Sequence, residues 1–201
     1  MKSTDTGRTP DEIVLTPAAR RILDVASALF YAHGITAVGV DTIAAESGVT
    51  KRTLYDRFGS KDALVASCLA ERNRLWWARL EARLAELDGE RVLATFDCYL
   101  DTRDIGRGCA FLNAAAELPR EHPAHALARG HKRAVRERIG ELLALDHPDL
   151  EGRDDLAEHL FLLLEGAVSQ RGLDDDDRRM RTARDLAASL LPSGRPASTQ
   201  G

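Results

Sequence analysis

A chain of 201 residues that is 44% hydrophobic and 30% charged is long enough to bury a core and too apolar to stay disordered. Its net charge of −4 excludes indiscriminate nucleic-acid binding by the whole surface, and no apolar run approaches the roughly 20 residues that cross a bilayer. Residues 1–65 balance eight Lys/Arg against eight Asp/Glu, yet Lys51, Arg52, Arg57 and Lys61 against Asp56 make 50–61 locally basic, which suits a focused phosphate contact. The polar opening, Met1 to Glu12, lacks the apolar stretch of a secretory signal, which predicts a cytoplasmic protein with no membrane partner. Cys68, Cys98 and Cys109 are far apart and form neither a CxxC pair nor a zinc spacing, which predicts buried free thiols.

Taken in order, almost every segment reads as helix, and no sustained period-two run predicts a strand. Residues 1–12 and 192–201 are polar and rich in Gly, Pro and Ser, and read as disordered tails. Thr16 and Pro17 mark the start of a first helix, Ile22, Val25, Ala26, Leu29 and Phe30 form its apolar stripe, and Gly34 stops it. Short helices follow at 40–47 and 50–57, then a long one at 61–87 capped by Ser60. Further helices are predicted at 90–103, 108–117, 123–145, 154–171 and 176–191, with breaks at Asp88-Gly89, Gly106, Pro119, Pro148-Asp149 and Gly172.

The pair at 40–58 has the form of a helix-turn-helix, two short helices meeting at Gly48. Leu54 and Phe58, four apart, anchor the second helix to the core. At 100° per residue, Arg52, Thr53 and Asp56 then point away from that anchor, with Lys51 and Tyr55 along one edge and Arg57 along the other. Arg52 and Thr53 are placed to meet base edges; Lys51, Tyr55 and Lys61 are placed to meet phosphates.

From Ala28 to Leu69, about a quarter of the chain, the residues closely resemble the TetR family of repressors. The resemblance is carried by Gly34-Ile35, Ile43-Ala44 and the run Gly48-Val49-Thr50-Lys51-Arg52-Thr53-Leu54-Tyr55-Asp56-Arg57-Phe58-Gly59-Ser60-Lys61. It implies an all-α protein with an N-terminal three-helix DNA-binding domain (13–62) and a C-terminal helical domain for ligand binding and dimerisation (63–191). It further implies a homodimer that acts as a repressor on double-stranded palindromic operator DNA and is released by a small-molecule effector. Carried over residue by residue, the DNA contacts fall on Thr50, Lys51, Arg52, Thr53, Tyr55, Arg57 and Lys61. The chain departs from the family's pattern at the cap of the second helix, where Gly39-Val40 stand in place of Ser or Thr, and Thr42 is the candidate to take over that phosphate contact.

Two later helices suit an interface or a core: Leu156, Leu160, Leu163, Leu164 and Ala167 form one stripe, which Phe161 and Leu162 widen almost all round, and Met180, Ala183, Ala187, Leu190 and Leu191 form another. The acidic run Asp174 to Asp177 reads as a helix start. Candidate pocket residues are Trp76, Phe96, Tyr99 and Phe161, with Asn113 and Glu117 one turn apart on an otherwise apolar segment, placed either to orient a ligand or to serve neighbouring backbone and solvent. His122, His125 and His131 read as surface histidines near a turn; their spacing matches no tight metal motif, and no cofactor is implied. No nucleophile, acid–base pair or metal set of an enzyme is recognisable.

Overall fold

The computed structural model describes residues 15–101, 107–174 and 176–192, so the tail at 1–12, the tail at 192–201 beyond Pro192 and the break at Gly106 lie outside the described residues. All regular structure among these residues is helical. Three helices come first: α1 (Pro17–His33), α2 (Val40–Ser47) and α3 (Lys51–Phe58). The long α4 (Lys61–Leu84) follows, then a 3-10 turn (Arg91–Leu93), α5 (Ala94–Leu100), α6 (Ala110–Glu117), α7 (Pro123–Asp146), α8 (Arg153–Asp174) and α9 (Arg178–Leu190).

The first three helices form as local chemistry dictates. Thr16 Oγ1 accepts from the N–H of Ala19 at 3.3 Å, and Pro17 occupies the first turn. At the end of α2, Gly48 adopts φ 65°, its N–H donates to Ala45 O, and the N–H of Val49 donates to Ala44 O. That pair of bonds is a Schellman ending, and the left-handed φ is what glycine permits. Two residues on, Thr50 caps α3 by accepting from Thr53 N at 3.1 Å. Ile22, Ala26, Ile43, Leu54 and Leu64 are fully buried and knit α1 to α4 together, while Phe58 is half-buried against the same core. Truncating Leu54 to Ala removes about 2–5 kcal/mol at such a site.

The remaining helices pack around α4, α7 and α8, with α9 laid along α8. Ion pairs tie the layers: Lys132 to Glu165 at 2.7 Å joins α7 to α8, and Arg184 to Asp97 at 2.7 Å joins α9 to α5. Arg91 pairs with Asp146.

Several boundaries differ from expectation. The helix expected at 90–103 is a 3-10 turn followed by α5, and α4 ends at Leu84. Gly172 is no break, because α8 runs on to Asp174. Its reason for being glycine is tertiary: a Cβ there would lie 2.8 Å from Arg107 C and Gly108 N. The segment leading into α6 crosses α8 backbone-to-backbone at that point. Of the acidic run, Asp174 pairs with Arg179, Asp177 holds Arg171 at 2.8 Å, and Asp176 accepts from Arg178 N.

Most of the apolar stripes of α8 and α9 is core within one chain: Leu160, Leu164, Met180 and Ala187 are fully buried, and Ala167, Ala183 and Leu191 nearly so, but Leu190 of the α9 stripe is exposed. Beside Leu190, 44% exposed, α8 and α9 leave Leu162 58%, Leu173 77% and Leu186 45% exposed. Gly166 and Ser169 fill the heptad-like spacing between Leu162 and Leu173.

Candidate nucleic-acid interface and ligand cavity

The face of α3 away from Leu54 is polar and exposed. Arg52, Tyr55, Asp56 and Arg57 all stand in solvent, and Thr53 is half-buried, its hydroxyl 2.9 Å from that of Thr50. Thr42 is exposed on α2, whose cap, Gly39, makes no side-chain hydrogen bond. Lys61 opens α4 beside this surface, its Nζ 5.9 Å from the centroid of Phe30, and Ser60 caps the same helix by accepting from Ala63 N at 3.0 Å.

Two acids accompany these cations. Lys51 Nζ lies 3.0 Å from the Asp41 carboxylate, whose hydrogen bond and charge hold the ammonium above its ordinary pKa. Arg52 approaches Asp56 to 3.8 Å. Both pairs are exposed and weak. A phosphate reaching Lys51 has to displace Asp41, a competition that sequence reasoning missed because the partners sit ten residues apart on different helices.

Behind α4 lies a cavity of about 380 Å3, walled by Arg72 and Trp76 of α4, Tyr99 of α5, Phe111 of α6, His131 of α7 and Arg171 of α8. Aromatic rings line much of it: Trp76 meets His131 edge-on at 5.3 Å and Tyr99 at 6.0 Å, and Phe111 stacks on His131 at 4.1 Å. Burial raises the Tyr99 phenol well above its ordinary pKa. Cys68 also borders the cavity, and burial pushes its thiol up to about 11, as it does that of Cys98, so neither is a ready thiolate. All three cysteines are buried and free, as the sequence predicts.

Of the expected pocket residues, Trp76 and Tyr99 line this cavity. Phe96 is fully buried and Phe161 packs on the core; neither reaches the wall. Asn113 and Glu117 lie instead by a minor cavity of about 30 Å3. Asn113 Nδ2 donates to Arg107 O at 2.6 Å, while Glu117 accepts from the backbone N–H of Thr36 at 3.1 Å. Glu117 therefore joins α6 to the turn after α1, and a Cβ on Gly34 would lie 3.1 Å from its carboxylate oxygens.

The histidines are structural in this fold. His122 caps α7 by accepting from Ala124 N, with Asp62 3.4 Å from its Nε2, and His125 Nε2 donates to Leu118 O at 2.9 Å. His122 and His131, both expected at the surface, are buried, His122 because it turns back to cap α7 and His131 because it sits on the inward face of α7 with Ala128 and Val135. No group of three potential metal ligands is gathered among the described residues. No helix among them is long and apolar enough to cross a membrane.

Residues 22–68 match the family of bacterial regulatory proteins, tetR family. The chain is 37% identical over 86 residues to MftR of Mycobacterium tuberculosis, a protein named as a transcriptional regulator of mycofactocin biosynthesis; that match spans 43% of this chain but only 37% of MftR. Over most of its length the fold is similar to that of SCO4454, a TetR-family transcriptional regulator from Streptomyces coelicolor, with TM-score 0.77 and 31% identity over 86% of this chain and 93% of that one. The reduced form of E. coli NemR, at 18% identity, shares the fold with TM-score 0.76, covering 90% of this chain and 100% of NemR. The helical architecture of this chain's described residues and the helix-turn-helix at α2–α3, together with the near-complete alignment to SCO4454, place the chain in the TetR family of DNA-binding transcriptional regulators.

Proposed function

We propose that the protein is a homodimeric repressor that binds a palindromic operator through α3 and is released when a small molecule enters the cavity behind α4. The observation that carries this reading is the continuity of α4. Its first residue, Lys61, stands beside the recognition helix, and three to four turns on the same helix presents Arg72 and Trp76 to the cavity. A helix of 24 residues, about 36 Å long, moves as a rod, so a ligand that tilts it shifts the recognition helix.

In this reading Arg52 and Thr53 contact base edges, and Thr42, Thr50, Lys51, Tyr55, Arg57 and Lys61 contact the backbone. The exposed Leu162, Leu173, Leu186 and Leu190 pair with their symmetry mates in a four-helix bundle, the dimer that two half-sites about 34–36 Å apart require. The DNA-binding unit is 13–62, and 63–191 binds effector and partner.

Binding-site selection with the purified protein tests the DNA contacts. A palindrome is the expected product, and Arg52→Ala or Thr53→Ala is expected to change which bases are preferred, at about 1–3 kcal/mol per lost base contact. An unchanged consensus in both variants removes these residues from base readout.

A further inference from the structure

Most charges around the large cavity are answered locally. Arg171 is paired with Asp177, and Glu71 is held by Arg20 at 2.6 Å and Arg74 at 2.8 Å. Arg72 differs. Its guanidinium carbon lies 4.7 Å from the centroid of the Tyr31 ring, and among the described residues no carboxylate comes within 4.0 Å of it. Asp24, at the rim on α1, is farther than that. A planar cation lying on an aromatic face, in contact with a cavity, is prepared for a carboxylate that it can hold by a two-pronged fork.

Two more groups are prepared. The indole N–H of Trp77 donates to Asn73 Oδ1 at 3.1 Å, and an indole N–H can only donate. Asn73 therefore presents its oxygen, and His131 Nδ1, 2.8 Å from the same atom, must carry the ring proton. Nε2 of His131 is left as an acceptor, buried and without a partner among the described residues. Burial, helped by neighbouring Lys132, holds this imidazole down to about 3, so it stays neutral at physiological pH. Edge-on to His131, the Nε1–H of Trp76 is a buried donor, also without a partner. Unsatisfied buried polar atoms are costly. Both residues line the cavity with ring centroids 5.3 Å apart, and one hydroxyl, which both donates and accepts, would answer the two together.

We infer that the cavity takes a small hydroxylated aromatic carboxylate, its carboxylate on Arg72, its ring among Trp76, Tyr99 and Phe111, and its hydroxyl between His131 Nε2 and Trp76 Nε1. The inference rests on reading this cavity as the effector site. A volume of about 380 Å3 suits one or two rings, being at the low end for small-molecule sites. Occupancy also reaches the DNA-binding unit directly. Tyr31 of α1, under Arg72, donates its hydroxyl to Gly108 O at 3.0 Å and accepts from Arg107 N at 3.2 Å, so the entry to α6 and the end of α1 share one contact.

The test is titration of the full-length protein with 3-hydroxybenzoate, 4-hydroxybenzoate and 4-hydroxycinnamate, followed by calorimetry and by the fluorescence of Trp76 and Trp77, the chain's two tryptophans. Benzoate and 4-hydroxybenzamide serve as comparisons. At least one hydroxy acid is expected to saturate one site per chain, with benzoate at least fivefold weaker and the neutral amide at least tenfold weaker. Arg72→Gln is expected to weaken the acid at least tenfold. Arg72→Lys keeps the charge without the fork and recovers part of the loss; it also carries the comparison should Arg72→Gln fail to fold. His131→Phe is expected to bring the hydroxy acid and benzoate to equal affinity. Absence of saturation by all three acids, equal affinity for acid and amide, or indifference to both Arg72 substitutions overturns the proposal. The two readings fail separately. A neutral or cationic compound that releases operator DNA through this cavity overturns the acid and leaves the repressor. Hydroxy acids that bind through Arg72 without changing operator affinity uphold the acid and overturn the effector role.

Discussion

The backbone N–H of Thr36 donates to the side chain of Glu117 at 3.1 Å, joining the turn between α1 and α2 to the last residue of α6. Arg107, just before α6, stands 3.7 Å from the same carboxylate. In the proposed function this bond acts as the lever between the effector-binding helices and the DNA-binding unit. Glu117→Ala is expected to cost about 0.5–1.5 kcal/mol of stability. Operator affinity without ligand is expected to stay within about threefold, while most of the ligand's effect on it, ordinarily about 5–150-fold, is lost. Operator titrations with and without effector measure both. Complete loss of operator binding would make Glu117 a structural support of the helix-turn-helix.

The Asp41–Lys51 pair makes a prediction of opposite sign. Asp41→Asn frees Lys51 and removes a negative charge from the DNA-facing side, so affinity for DNA is expected to rise severalfold at low salt. Lys61→Ala is expected to lower affinity about equally on all sequences and to reduce the salt slope by roughly one unit. Anisotropy titrations across a salt series read both; an Asp41→Asn protein that binds DNA no more tightly than the parent rules out the competition.

Much of the helix-turn-helix is legible in the sequence because its determinants are local. Thr16, Thr50 and Ser60 cap the helices they precede, Gly48 ends α2, and Leu54 faces the core. The C-terminal half is less legible for tertiary reasons. Gly172 reads as a stop because a helical glycine is usually one, whereas here the Arg107-Gly108 backbone crosses it. The densest apolar stripes of α8 and α9 bury within the chain, leaving a sparser leucine face outside. Asn113 and Glu117 do share a polar face, but their partners, Arg107 O and Thr36 N, belong to loops that no periodicity reveals. Arg72 carries no local signal at all; Tyr31, forty-one residues earlier, gives it a role.

The leucine face gives the dimer a direct test. Leu162→Glu or Leu186→Glu places a charge in the centre of the proposed interface without touching the buried core. Dimer dissociation is expected to strengthen at least about thirtyfold, the ~2 kcal/mol scale of a central interface residue. Sedimentation velocity over a concentration series reports it, with circular dichroism showing that the helices persist. A variant that remains dimeric at every concentration places the interface elsewhere.

His131 sets a pH dependence. Its folded pKa, about 3, lies below its unfolded value of 6.5, so the unfolded chain binds a proton first on acidification. Its contribution is complete above pH 6.5 and is lost as pH falls toward 3, by at most about 1.4 kcal/mol per unit. His131→Phe is expected to flatten that part of the stability curve, read by urea unfolding between pH 7 and 4. An unchanged slope means that His131 titrates alike in the folded and unfolded chains, so that burial does not hold its Nε2 free of a proton.

The central claim is that the cavity and the recognition helix are coupled, and coupling is reciprocal. The most direct measurement takes a compound that raises the melting temperature of the parent but not of Arg72→Gln, and determines its affinity for the free protein and for the protein saturated with selected palindromic DNA. Binding to the DNA complex is expected to be weaker by the same factor, about 5–150-fold, by which the compound weakens operator binding. Equal affinity for the free and DNA-bound protein would contradict it.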